Sequence, residues 1–100
     1  MPSASIPRGL WPHFQEYDPA HLDRDQDADV IIQRTLEYGT WDEVRWLLST
    51  CGMERTRQFL RLHGERLLSA AAFTYWRKLF NVRRWRRSPF FEEARQLWPY

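Results

Sequence analysis

Residues 29–52, DVIIQRTLEYGTWDEVRWLLSTCG, contain two helical patterns, a stop between them and a second stop at their end. In the first, Ala28, Ile31, Ile32, Thr35 and Leu36 recur at three- and four-residue spacing, which puts them on one helix face, and Gly39 follows Tyr38 as a terminator. Thr40 and Glu43 then have the spacing of a capping box, in which hydroxyl and carboxylate satisfy reciprocal backbone donors at a helix start. Trp41, Val44, Leu47, Leu48 and Cys51 line the next helix until Gly52. So short a link forces the two helices to meet at a corner.

The rest of the chain supplies partners for that corner. Pro2, Pro7, Gly9 and Pro12 predict an extended arm over residues 1–17, whose Leu10, Trp11, Phe14 and Tyr17 pack over a core formed by residues 18–100. Asp18-Pro19 reads as a cap and first helical residue for a short turn. A third helix is expected from Met53 to His63, with Met53, Thr56, Phe59, Leu60 and His63 inward, Arg55, Arg57 and Arg61 outward, and Gly64 as its stop. Ser69 caps a fourth, with Ala72, Phe73, Trp76, Leu79 and Phe80 inward and Asn81 as a left-handed terminator. Ser88-Pro89 opens a fifth, faced by Phe90, Phe91, Ala94, Leu97 and Trp98. No stretch sustains period-two alternation. The expected fold is all-α, a compact single domain of four to five short helices with an extended N-terminal arm.

Chemistry is easier to exclude than to assign. Cys51, the sole cysteine, sits on an apolar helix face, rules out an internal disulfide and suits a reducing cytoplasm. His13, His21 and His63 lack partners at metal-ligand spacing, and the isolated glycines build no phosphate loop. Asp23, Asp25, Asp27 and Asp29 alternate like a calcium loop, but Ala28 stands where its sharp turn needs glycine and Arg34 where a bidentate glutamate is needed. They read as capping acids. Arg57 and His63 match the loose Arg-x4–6-His spacing of helical RNases and so resemble the HEPN superfamily, against the plainer reading of a surface arginine and a helix-end histidine. No apolar run reaches the length of a membrane span, and MPSASIPRGLWP lacks the pattern of a secretion signal. The expectation is a soluble, cytoplasmic, non-enzymatic protein without cofactor.

Charge is divided along the chain. Residues 1–44 carry nine acids and three Lys/Arg, and residues 45–100 carry four and twelve, so the halves stand at −6 and +8 around a net +2. Such asymmetry makes either a dipolar surface that closes on itself or two faces for two partners. Arg77, Lys78, Arg83, Arg84, Arg86 and Arg87 lie within eleven residues free of acids, with Trp85 among them. Guanidinium groups beside an indole suit nucleic-acid phosphates and bases, and equally an acidic protein patch, unless Trp85 folds back on the core. Trp46 lies off the apolar face of its helix; with Trp11 and Trp85 it is a candidate anchor for a partner protein.

The run Ile31-Ile32-Gln33-Arg34-Thr35-Leu36-Glu37-Tyr38-Gly39-Thr40-Trp41, with Val44-Arg45-Trp46-Leu47-Leu48, Gly52, Phe14, Asp18-Pro19, His21, Leu68-Ser69, Phe73, Trp76 and Phe80, carries a family resemblance over about residues 14–80. It resembles small bacterial helical domains of unknown function often encoded beside nucleotidyltransferase toxins of the abortive-infection class. What the resemblance implies is an antitoxin-like or accessory module of a toxin–antitoxin or phage-defence pair, docking on such a toxin, with no catalytic residues to carry over. The alternative is a DNA- or RNA-binding module that lays Arg83–Arg87 on the backbone and uses the Gly52 corner like a helix-turn-helix.

Overall fold

The structure, a computed structural model, describes residues 5–86. Two 3-10 turns, Arg8–Phe14 and Pro19–His21, lead into α1 (Ala28–Tyr38) and α2 (Trp41–Cys51). Then come α3 (Met53–Phe59), a π-helical turn Leu60–Gly64, α4 (Glu65–Leu67) and α5 (Ala70–Leu79). The described chain is all-α and contains no strand. The last expected helix, from Ser88, lies outside the described residues.

Helix α1 is the axis of the packing. It touches the first 3-10 turn, α2, α3 and α5, and Ala28, Ile31, Ile32, Thr35 and Leu36 are all buried, as their spacing requires. Thr35 is the one polar group among them, and its hydroxyl donates back to the Ile31 carbonyl at 2.7 Å, so its burial leaves nothing unpaired. The start of α1 is prepared by the aspartates. Asp23 Oδ1 accepts the backbone N–H groups of Asp25 and Gln26, and Asp27 Oδ2 accepts that of Asp23. The acidic run is a folded turn. Its two backbone donors hold the Asp23 carboxyl below its ordinary pKa.

Helix α2 opens with the expected capping box. Glu43 N–H donates to Thr40 Oγ1 and Thr40 N–H donates to Glu43 Oε1. Gly52 ends it with φ at 89°, a left-handed conformation that favours glycine, and α3 starts at once. Ser69 caps α5 by accepting the Ala72 N–H, and Asn81 takes φ 57° after it. Glu37, near the end of α1, accepts from both the N–H and the hydroxyl of Ser69, at 2.7 and 2.8 Å. The end of α1 is thereby tied to the start of α5.

Two backbone expectations differ from the structure. Residues 8–14 of the arm are coiled rather than extended, because the fixed φ of proline falls within the 3-10 range, so Pro12 costs a donor without breaking the turn. That coil turns Leu10 and Phe14 into the core, while Arg34 of α1 pairs with Glu16 and donates to the His13 carbonyl. The second difference is Gly64, which does not stop a helix: its φ and ψ are −61° and −47°, and the helical path runs on through α4. A Cβ there would lie 2.7 and 2.8 Å from ring carbons of Phe73 on α5. Gly64 is the crossing point of two helices.

Gly64→Ala should therefore destabilise the protein by about 1–3 kcal/mol through overpacking, although alanine in an open helix would help. Urea denaturation checks the sign, and a Gly64→Ala/Phe73→Leu double variant should recover part of the loss. Asp23 gives a pH test. Its folded pKa is lowered, so its contribution is complete above the unfolded value of about 3.9 and disappears as pH falls through the lower folded value. Asp23→Asn should lower the urea midpoint at pH 7 and converge on wild type in acid below that value.

Candidate functional site

The basic segment is a strap fixed at three points. After Asn81 reverses the chain, the Val82 N–H donates to the Arg77 carbonyl at 2.7 Å and the Val82 side chain is buried. Trp85 folds back, half-buried, onto α5: its indole N–H donates to Glu65 Oε2 at 2.7 Å and its ring meets Phe73 edge-on at 5.4 Å. The Arg77 guanidinium lies 4.6 Å from the Trp85 ring centroid, a cation–π stack. The Arg86 N–H then donates to the Arg61 carbonyl, inside the π turn, at 2.6 Å. With Val82 and Trp85 turned inward, Arg83, Arg84 and Arg86 are exposed. Lys78 is also exposed, and Arg87 lies outside the described residues. Glu65, Ala70, Phe73, Thr74, Arg77 and Trp85 enclose an open cleft of about 290 Å³ between the strap and α5.

A second surface is apolar. Trp41 is 55% exposed and Tyr75 and Leu79 are each 50% exposed. The Trp41 and Tyr75 rings meet edge-on at 6.4 Å, and both pack against the buried Trp76, at 5.6 and 4.9 Å. Leu79 is one turn from Tyr75 on the same face of α5. The helical pattern expected Trp41 and Leu79 inside. Trp41 occupies the first position of α2, and Leu79 shares the exposed flank of α5 with Tyr75 while Trp76 and Phe80 turn inward. Met53, at the start of α3 and also expected inside, is exposed as well.

The tryptophans singled out as anchors stand elsewhere. Trp46 is half-buried against the core. Trp11 is 38% exposed, with its indole N–H on the Ile6 carbonyl at 2.9 Å and the Arg8 guanidinium 5.3 Å from its ring centroid. Of the exposed aromatic pair, Trp41 was missed because a residue at helical spacing is assigned to the core by default, and Tyr75, off the inward face of its helix, was not singled out at all.

Arg57 and His63 have separate partners. Arg57 pairs with Glu54 at 3.0 Å and reaches the Asn81 carbonyl at 3.4 Å, with its Nε buried and unpaired. His63 lines a different cleft, of about 280 Å³, with Asp29, Arg55, Gln58, Phe59 and Leu62. Arg66 Nη2 lies 3.1 Å from His63 Nδ1, and since a guanidinium only donates, the His63 proton belongs on Nε2, facing Asp29 Oδ2 at 3.7 Å. Burial pushes the Cys51 thiol above its ordinary pKa, which keeps it protonated and a poor nucleophile. No group of metal-ligating side chains occurs among the described residues, and no described helix is long and apolar enough to cross a membrane.

The fold and its two surfaces define a small all-α domain with a cationic strap on one side of α5 and an aromatic patch on the other. Residues 12–60 match a family of unknown function, DUF6922; the match takes in the end of the arm coil, the second 3-10 turn, α1, α2 and α3, and the family carries no stated activity or partner. No curated protein and no solved structure matches the chain.

Trp85→Ala should free the strap. Loss of a half-buried indole and its hydrogen bond should cost about 2 kcal/mol, read as a lowered melting temperature. In hydrogen exchange the amides of Val82 and Arg86 should lose protection while those of α1 keep theirs.

Proposed function

We propose that this chain is a non-enzymatic binding module that docks on a partner protein through Trp41, Tyr75 and Leu79. The carrying observation is that Trp41 and Tyr75, each about half exposed, pack together against the buried Trp76, with the equally exposed Leu79 one helical turn from Tyr75. Trp and Tyr lose little conformational entropy when an interface immobilises them and bury much area, which is why they dominate interface hot spots. Trp76 holds this pair from beneath, so docking would require little reordering. The resemblance of residues 14–80 to small bacterial helical domains encoded beside nucleotidyltransferase toxins, to which the DUF6922 match adds no function, suits an antitoxin-like or accessory role in bacterial defence, in the cytoplasm, with such a toxin as partner. The occupant is then a folded protein presenting an apolar recess.

The test compares tagged wild type with Trp41→Ala/Tyr75→Ala, each purified from the native host under mild conditions. One protein should co-elute stoichiometrically with wild type, and its affinity for the double variant should fall about 30-fold or more, the weight of one hot-spot residue. Unchanged helicity and melting temperature would show that the variant is folded. A partner held equally by the variant would overturn the reading, as would a wild type that elutes alone as a monomer. A dimer dissolved by the same substitutions would assign the patch to a second copy of the chain.

A further inference from the structure

The strap and its cleft combine two features that a purely electrostatic surface lacks. The first is cationic: Arg83, Arg84 and Arg86 are exposed on backbone pinned at Val82, Trp85 and Arg86, so much of the ordering that binding would require is already done. The second is an open slot of about 290 Å³ with the rings of Phe73 and Trp85 in its walls, and the Glu65 carboxylate and Arg77 guanidinium among its lining groups. A duplex keeps its bases paired and stacked, so it could use the arginines but not the slot. An acidic peptide would meet the arginines too, but would bring its carboxylates toward Glu65. A ligand with spaced negative charges and separate planar rings uses both features.

We propose that this face binds single-stranded nucleic acid, with an unpaired base in the cleft beside the Phe73 and Trp85 rings, and the adjoining phosphates on Arg83, Arg84 and Arg86. Glu65 gives the slot a preference. Its Oε2 accepts from the Trp85 indole, and a carboxylate has further lone pairs, which suit the exocyclic amine of adenine, cytosine or guanine. Uracil and thymine carry no such amine and should bind less well. The site lies on the side of α5 away from Tyr75 and Leu79, because Phe73 and Arg77 precede those residues by two positions, about 200° of helical rotation. It stands or falls independently of the protein-docking patch.

Fluorescence anisotropy with labelled 12-mers tests it: oligo(A), oligo(C) and oligo(U) RNA, their DNA counterparts, a duplex and a polyglutamate peptide, at 50 and 200 mM salt. Single strands should bind more tightly than the duplex, with A and C above U or T. Arg83→Ala/Arg84→Ala/Arg86→Ala should weaken binding about tenfold or more and flatten the log–log salt slope by about 2. Ala70→Trp, which fills the slot from an exposed position and leaves the arginines in place, should weaken single strands while leaving duplex affinity unchanged. Glu65→Gln should narrow the gap between A or C and U. No binding at 50 mM salt, equal affinity for single strand and duplex, or polyglutamate bound as tightly as RNA would each overturn the proposal. So would an Ala70→Trp variant that binds single strands like wild type.

Discussion

The hydrogen bond from the Trp76 indole to the Leu36 carbonyl, 2.7 Å long and buried, joins helices forty residues apart in sequence. It exists because of what happens to the end of α1. In a continuing helix the Leu36 carbonyl would accept from the N–H of Thr40. Here the capping box diverts that N–H to Glu43, which starts α2 and leaves the Leu36 carbonyl without a local donor. A buried carbonyl without a partner costs on the order of 1–3 kcal/mol, and Trp76 supplies the donor. The corner between α1 and α2 and the docking of α5 are thus one arrangement. The same indole forms the floor under Trp41 and Tyr75, so the exposed pair depends on the bond that closes the fold.

Charge is organised with similar economy. Among the described residues, the one Lys/Arg–carboxylate pair that joins the acidic half to the basic half is the local Asp42–Arg45. The Lys/Arg–carboxylate pairs among the described residues are Glu16–Arg34, Asp42–Arg45 and Glu54–Arg57, the last two within one helical turn. The long-range pair between the halves is Asp29 with His63, at 3.7 Å. Of the aspartates before α1, Asp23 and Asp27 are bound to backbone donors, and Glu65 near the strap is bound to the Trp85 indole. Arg83, Arg84 and Arg86 therefore remain exposed beside a carboxylate already engaged. That arrangement favours two faces over a dipole closed on itself.

Local chemistry was the part most legible in the sequence. Thr40 with Glu43, Ser69, Asp18 before Pro19 and Asn81 each act within four residues of themselves, and each makes the cap or turn that its type and spacing imply. The inner face of α1 was legible for a related reason, since a central helix is covered along its whole length. What failed depended on where another element ends or crosses. Gly64 carries the same letter as Gly52, yet Gly52 uses a positive φ and Gly64 uses its missing Cβ against Phe73, a neighbour known only from the tertiary packing. Trp41 and Leu79 satisfy the period of their helices and still lie outside, because periodicity defines a face and says nothing of how far its cover extends.

Trp85 shows how this limit bears on function. From sequence, an indole among arginines could project to solvent or fold onto the core. It lies between: its N–H is committed to Glu65 and its ring is half-covered by Phe73 and Arg77, while an open cleft remains beside it. A fully projecting indole would leave the arginines on a loose loop, and binding would first have to order them at a cost of about 1–2 kcal/mol per residue. A fully buried one would leave no ring beside a slot. Partial burial both orders the arginines and leaves an aromatic wall. Its acceptor, Glu65, lies in the helical turn just after Gly64, where α3–α4 runs close against Phe73. The cleft therefore depends on a glycine whose role is visible only once two distant helices are seen to cross.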